Sequence, residues 1–96
     1  MNVFVVLTHA MGGWQLAGVH RTEDEANERL ATLAFGLKPY VEQVVVVGEQ
    51  PDLNGVYSAE YYDADGDVHH YQGIFGSFEA AKKAAGPRGQ ALSRAL

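Results

Sequence analysis

The chain has 96 residues, 47% of them hydrophobic and 20% charged, with a net charge of −5. That balance supports one folded core and excludes a disordered chain, which needs low hydrophobicity and high net charge. With no cysteine there is neither a disulfide framework nor a thiolate metal site, and a reducing, cytoplasmic setting is expected.

The charge is unevenly placed. All twelve acidic residues fall within positions 1–79, against Arg21, Arg29 and Lys38 alone, a net of −9; positions 80–96 hold Lys82, Lys83, Arg88 and Arg94 and no acid, a net of +4. An acidic body is repelled by phosphate backbones, so direct nucleic-acid binding is not expected, whereas a basic protein surface is attracted. The opening stretch 1–7 is apolar, but it has no basic flank or cleavage site and is too short to span a bilayer. It reads as a strand, and no membrane association is expected.

In chain order, a strand over 3–10 and a second over 14–21 are joined across Gly12-Gly13, which tolerates the positive φ of a tight turn. A helix follows from 23 to about 35. Thr22 is its N-cap and Thr22-x-x-Glu25 a capping box, with Ala26, Leu30, Leu33 and Leu37 as the apolar stripe, Gly36 at the C′ position and Pro39 as the stop. A third strand over 41–48 contains Val44-Val45-Val46-Val47; the run lacks alternation and is expected to be central and buried on both faces. Strands over 56–63 and 68–75 are joined across Asp65-Gly66, a strong type I′ signal. A second helix starts near Phe78, capped by Ser77, and ends before Gly86-Pro87. Lys82 and Lys83 answer its negative end. The tail 90–96 is expected to add a helical turn or two, with Leu92 and Leu96 on one side.

Two segments repeat. Gly18-Val19-His20-Arg21-Thr22-Glu23-Asp24-Glu25-Ala26 aligns with Gly73-Ile74-Phe75-Gly76-Ser77-Phe78-Glu79-Ala80-Ala81, each leaving a hairpin and opening a helix. The expectation is one α+β domain over 1–96, with repeat units near 3–36 and 56–86 and a basic tail 87–96. Its fold is a five-stranded, mostly antiparallel sheet with two helices on one face, in the order ββα-βββα. Period-two alternation puts Val3, Val5, Leu7, Leu16, Gly18, Gly73 and Phe75 under the helices. Phe4, Val6, Val19, Tyr57, Tyr61 and Ile74 are left on the uncovered face, more apolar surface than water usually meets. The alternative cover for that face is the tail, through Leu92 and Leu96.

Catalytic chemistry finds little support. Asp63-Ala64-Asp65-Gly66-Asp67 resembles the start of a calcium loop, but the sixth position is Val68 and the twelfth Ile74, where glycine and glutamate are needed. His69 and His70 are adjacent on a strand and face opposite ways, so they do not readily share a metal. His20 stands where the second copy has Phe75 and reads as a packing residue. No nucleophile elbow or phosphate-binding glycine loop is present. No catalytic residue, metal or cofactor is assigned.

The segments Gly73 to Ala81 and, less closely, Gly18 to Ala26 resemble helix starts in small bacterial and phage-encoded proteins of unknown function, in which a hairpin ends in Gly-Val-Phe/Tyr and enters a Ser/Thr-x-Glu-x-Ala helix. The first copy departs from that pattern at His20. The resemblance covers about a fifth of the chain and implies the architecture, not an activity. Small acidic proteins of this kind also look like phage-encoded inhibitors of host defence, anti-CRISPR proteins among them. The expected function is therefore non-enzymatic protein binding, by an inhibitor of a host defence complex. The contact is Phe4, Val6, Val19, Tyr57, Tyr61 and Ile74, rimmed by Asp63, Asp65 and Asp67, and its partner is a basic protein surface or a second copy. The competing expectation is a small metal- or ligand-binding enzyme using the His69/His70 hairpin.

Overall fold

Thr22 and Ser77 start the helices as their hydroxyls require. The N–H of Glu25 donates to Thr22 Oγ1 at 3.2 Å, and that of Ala80 to Ser77 Oγ at 3.2 Å. Thr22 in turn donates its hydroxyl to Glu25 Oε1 at 3.0 Å, so the glutamate answers the cap's side chain. The computed structural model describes residues 1–10, 13–63 and 68–96. Its elements are β1 (Asn2–Ala10), β2 (Gly13–His20), α1 (Glu23–Ala31), a 3-10 turn (Phe35–Leu37), β3 (Tyr40–Val45), β4 (Gly55–Asp63), β5 (Val68–Phe75), α2 (Phe78–Ala85) and β6 (Gly89–Ala95).

The single five-stranded sheet is overturned. Among the described residues, six strands form two antiparallel sheets, ordered β2-β1-β3 and β5-β4-β6, each carrying its own helix. The tail supplies the sixth strand. Leu92 and Leu96 are four apart, a spacing that fits one face of a helix and one face of a strand equally well. The valine run is corrected too. β3 is an edge strand, and of its last valines and those that follow, Val46 is buried while Val45 is 65% and Val47 53% exposed. A β-branched run marks strand propensity and says nothing of burial. Helix α1 stops at Ala31, short of the expected end. The Thr32 hydroxyl donates to the Arg29 carbonyl at 2.7 Å, a local bond that competes with continuing the helical ladder. Lys38, at φ 50°, takes the left-handed position expected of Gly36.

The two halves share one plan, ββαβ, down to their irregularities. Val6 lies opposite Gly18 and Ala59 opposite Gly73, and each register slips immediately afterwards, leaving Ala17 and Gln72 as extra residues. At the far end the N–H of Val46 donates to the Met1 carbonyl and that of Leu96 to the Asn54 carbonyl, both at 2.9 Å. Gly73 needs its glycine, since φ is 139° there. The space above Gly18 and Gly73 is taken by the rings of His20 and Phe75, two residues on, rather than by a closely approaching helix backbone.

These bulges split the expected faces: Gly18, Gly73 and Phe75 stay on the helix side and Val19 and Ile74 away from it, but Val3, Val5, Leu7 and Leu16, expected under the helices, lie with Val19 and Ile74. One extra residue sends every later side chain to the other side of the sheet. Val3, Val5, Leu7, Leu16 and Val19 turn inward, and so do Val56, Tyr71 and Ile74; together with Val44, Val46 and Leu96 they make one core between the sheets. The helices cover the opposite faces. On the second sheet Ala81 and Ala85 of α2 pack with Ala59, Tyr57, Phe75 and Ala91. Helix and sheet thus meet through alanines. The sheets also touch edge to edge, where β2 passes β5 so closely that a methyl on Gly13 would collide with the His70 ring. Among the described residues, no helix is long and apolar enough to cross a membrane.

Candidate partner-binding surface

The apolar face expected to be open is not one surface. Val6, Val19 and Ile74 are buried, at 0%, 6% and 2% exposure. Val19 and Ile74 belong to the core between the sheets, whereas Val6 lies on the helix side with half-buried Phe4, Tyr57 and Tyr61. The tail does not fold back over that face but joins the second sheet as β6, and of Leu92 and Leu96 it is Leu96 that packs against the core. Of the acidic rim, Asp65 and Asp67 lie outside the described residues. Asp63 approaches His70, Oδ2 to Nε2, at 3.8 Å, and His70 stacks on Tyr61 at 6.3 Å between ring centroids. His69 pairs through its backbone with Tyr62, and His70 with Tyr61, as the two-residue turn predicts. No group of three potential metal-ligating His, Cys, Asp or Glu side chains gathers among the described residues.

A different surface is assembled at the hairpin end of the first sheet. Leu7 and His9 of β1 point inward there, flanked by Trp14 of β2 and Tyr40 of β3. Trp14 and Tyr40 reach across β1 and meet edge to face, with centroids 5.0 Å apart and planes at 80°. The His9 ring lies 4.6 Å from that of Trp14, tilted at 58°. Leu7 is 2% exposed in the core beside them, while Trp14 stays 42% and Tyr40 36% exposed. Glu42, two residues beyond Tyr40 on the same face, gives this lip a carboxylate. Tyr71 of the second sheet completes the inner wall. Burial, and then the negative charge of Glu42 and the neighbouring Tyr40, push its hydroxyl up to about 12. Tyr40 shifts upward for the same reasons, burial first and then Glu42. Both phenols stay neutral donors at physiological pH, close to a carboxylate. Aromatic faces next to a negative charge attract cations.

A second polar group is internal. Ser58 donates to Glu60 Oε2 at 2.7 Å, Arg94 Nη2 donates to the same oxygen at 2.8 Å, and Arg94 Nε to Ser58 Oγ at 3.2 Å. In the first unit the matching positions hold Val5, Leu7 and Val44. Ser58 is fully buried and Glu60 5% exposed, so no substrate reaches the hydroxyl, and the bonds satisfy the groups among themselves. This arrangement is structural. Sequence reasoning missed Trp14 and Tyr40. The available signal was position: Trp14 is the second residue of β2 and Tyr40 the first of β3, directly after Pro39, and a side chain at a strand's start lies at the rim of a sheet.

No protein family, curated protein or solved structure matches the chain.

Proposed function

We propose that the chain is a non-enzymatic protein-binding module whose aromatic lip, His9, Trp14 and Tyr40 with Glu42, receives a basic side chain of its partner. One observation carries this: two large aromatic rings stay over a third exposed beside a carboxylate, on a body whose first 79 residues carry a net charge of −9. An arginine or lysine there gains contact with the ring faces and with Glu42 together. The acidic body speeds the encounter, and salt weakens it. Occupation of a basic surface is also how a small acidic inhibitor of a host defence complex would act, the role the resemblance implies.

Trp14 is the only tryptophan, so its fluorescence reports on the lip directly. Titration with arginine-containing peptides should shift its emission in a saturable, salt-sensitive way, and Glu42→Gln should weaken binding several-fold with the fold intact. Partner capture from the host cell should succeed with the wild type and fail with Trp14→Ala. A partner held equally well by Trp14→Ala and Glu42→Gln would refute the lip as its site.

A further inference from the structure

We propose that the open edge of β3 is a homodimer interface, in which β3 pairs antiparallel with β3 of a second copy about a two-fold axis at Gln43. The proposal is independent of the lip's ligand.

Each sheet has two edges. Those formed by β2 and β5 lie against one another, and the end of β5 also pairs with Val47 just beyond β3, which leaves β3 up to Val45 and β6. The N–H of Val46 donates to the Met1 carbonyl, and Met1 is the next partner in the β1–β3 register. Hydrogen-bonded pairs alternate along an antiparallel ladder. Val44, Glu42 and Tyr40 therefore bond toward β1, while Val41, Gln43 and Val45 point their N–H and C=O groups away from the sheet. No described residue pairs with those groups. Between Tyr40 and Val45 the edge holds no lysine, proline or bulge, and Glu42 is its one charge.

Charge selects both the edge and the register. The β6 edge presents the small residues Ala91, Ser93 and Ala95, next to Arg88 and Lys82, and two copies meeting there bring like charges together. On β3, pairing about Gln43 sets Val41 opposite Val45 of the second copy and Gln43 opposite its own mate, where two side-chain amides can bond. Glu42 then faces Val44. A shift of two residues toward the start of β3 would put Glu42 directly opposite Glu42, which like charge disfavours. The favoured register covers Val45, now 65% exposed, and joins two three-stranded sheets into one of six.

Sedimentation over micromolar to millimolar concentrations tests this. The wild type should reach twice the 10.4 kDa chain mass. Val45→Lys places a charge at an exposed edge position and should leave a folded monomer. Gln43→Pro removes only the outward donor, a place where an edge strand accepts proline, and should do the same. Circular dichroism checks both folds, and Val45→Lys decides alone if the proline variant unfolds. For the register, Gln43→Cys is diagnostic in a chain without cysteine. The paired Cα atoms would lie about 5.5 Å apart, within disulfide reach, so mild oxidation should give a covalent dimer. Glu23→Cys should not. A wild type that remains at 10.4 kDa throughout overturns the proposal. So does a dimer that survives Val45→Lys, or a Gln43→Cys variant that fails to cross-link while dimeric.

Discussion

Replacing Arg94 by methionine keeps an unbranched stem in place and removes the only cation that reaches Glu60 Oε2 among the described hydrogen bonds and ion pairs. The Glu60 side chain is 6% exposed, so its carboxylate is left in low dielectric with the Ser58 hydroxyl as its remaining donor. Stranding one member of a buried pair costs ~3–5 kcal/mol. Water reaches the Arg94 side chain, which is 29% exposed, so part of the pair is already solvated and about 2–3 kcal/mol is expected. With a urea slope near ~1 kcal/mol/M, the denaturation midpoint should fall by about 2–3 M. The first unit supplies the complementary variant, because Val5 and Leu7 stand where the second has Ser58 and Glu60. Changing Ser58→Val and Glu60→Leu together with Arg94→Met removes all three polar groups at once. This triple variant should regain the wild-type stability or exceed it by ~1–4 kcal/mol. The serine must change as well, since its hydroxyl would otherwise lose both partners. A midpoint within error of wild type for Arg94→Met alone would refute the idea that a buried charge is held there. A triple variant no better than the single would show that the two inner faces are not interchangeable.

Other consequences are simpler to check. Thr22→Ala and Ser77→Ala should each lower stability by about 1 kcal/mol in chemical denaturation, the usual loss for a helix cap. Gly73→Ala should cost ~1–3 kcal/mol, because φ is 139° and the Phe75 ring lies 3.2 Å from the added carbon, whereas Gly36→Ala, with open space around it, should stay within ~0.5 kcal/mol. His20→Phe should raise stability by about 1 kcal/mol, since Nε2 is buried without a partner where the second unit has Phe75. With Tyr71 at about 12 when folded and near 10 when unfolded, the unfolded chain releases its proton first as pH rises. Stability is therefore intact below pH ~10 and declines between ~10 and ~12, by at most ~1.4 kcal/mol per unit from this group. The urea midpoint across that window should fall less steeply in Tyr71→Phe, with Tyr40 sustaining part of the slope.

Local chemistry was legible in the sequence and layer assignment was not. Helix caps and the Tyr62–His69 and Tyr61–His70 pairs depend on neighbours a few residues apart, and those features are present, while Gly12 and the Asp65-Gly66 turn lie outside the described residues. The faces depend on parity along a whole strand, which one bulge reverses. Ala17 and Gln72 are ordinary residues, and nothing about either announces that it is the extra one. The repeat was found through Gly18 and Gly73 but ended at the helices, because the third strands share almost no residue identity. Val41-Glu42-Gln43-Val44 lies at the positions of Ala91-Leu92-Ser93-Arg94, equivalent only in register. The lip escaped for a similar reason. Trp14 and Tyr40 are distant in the chain and meet only once β2 and β3 flank β1.

Each ββαβ unit needs a second inner face to cover its own, as the protomers of a two-fold assembly do. Here both protomers are on one chain, and the covalent link has two effects. Association of the halves no longer depends on protein concentration, because the tether holds them at a high effective concentration. The link also ends the requirement that the two faces be identical. Two identical chains would present the Glu60–Arg94 pair twice, once from each side, with both carboxylates sunk in one core. A chain of two units carries it once, where the other unit has Val5, Leu7 and Val44, and each half is free to change without its change being copied across the axis.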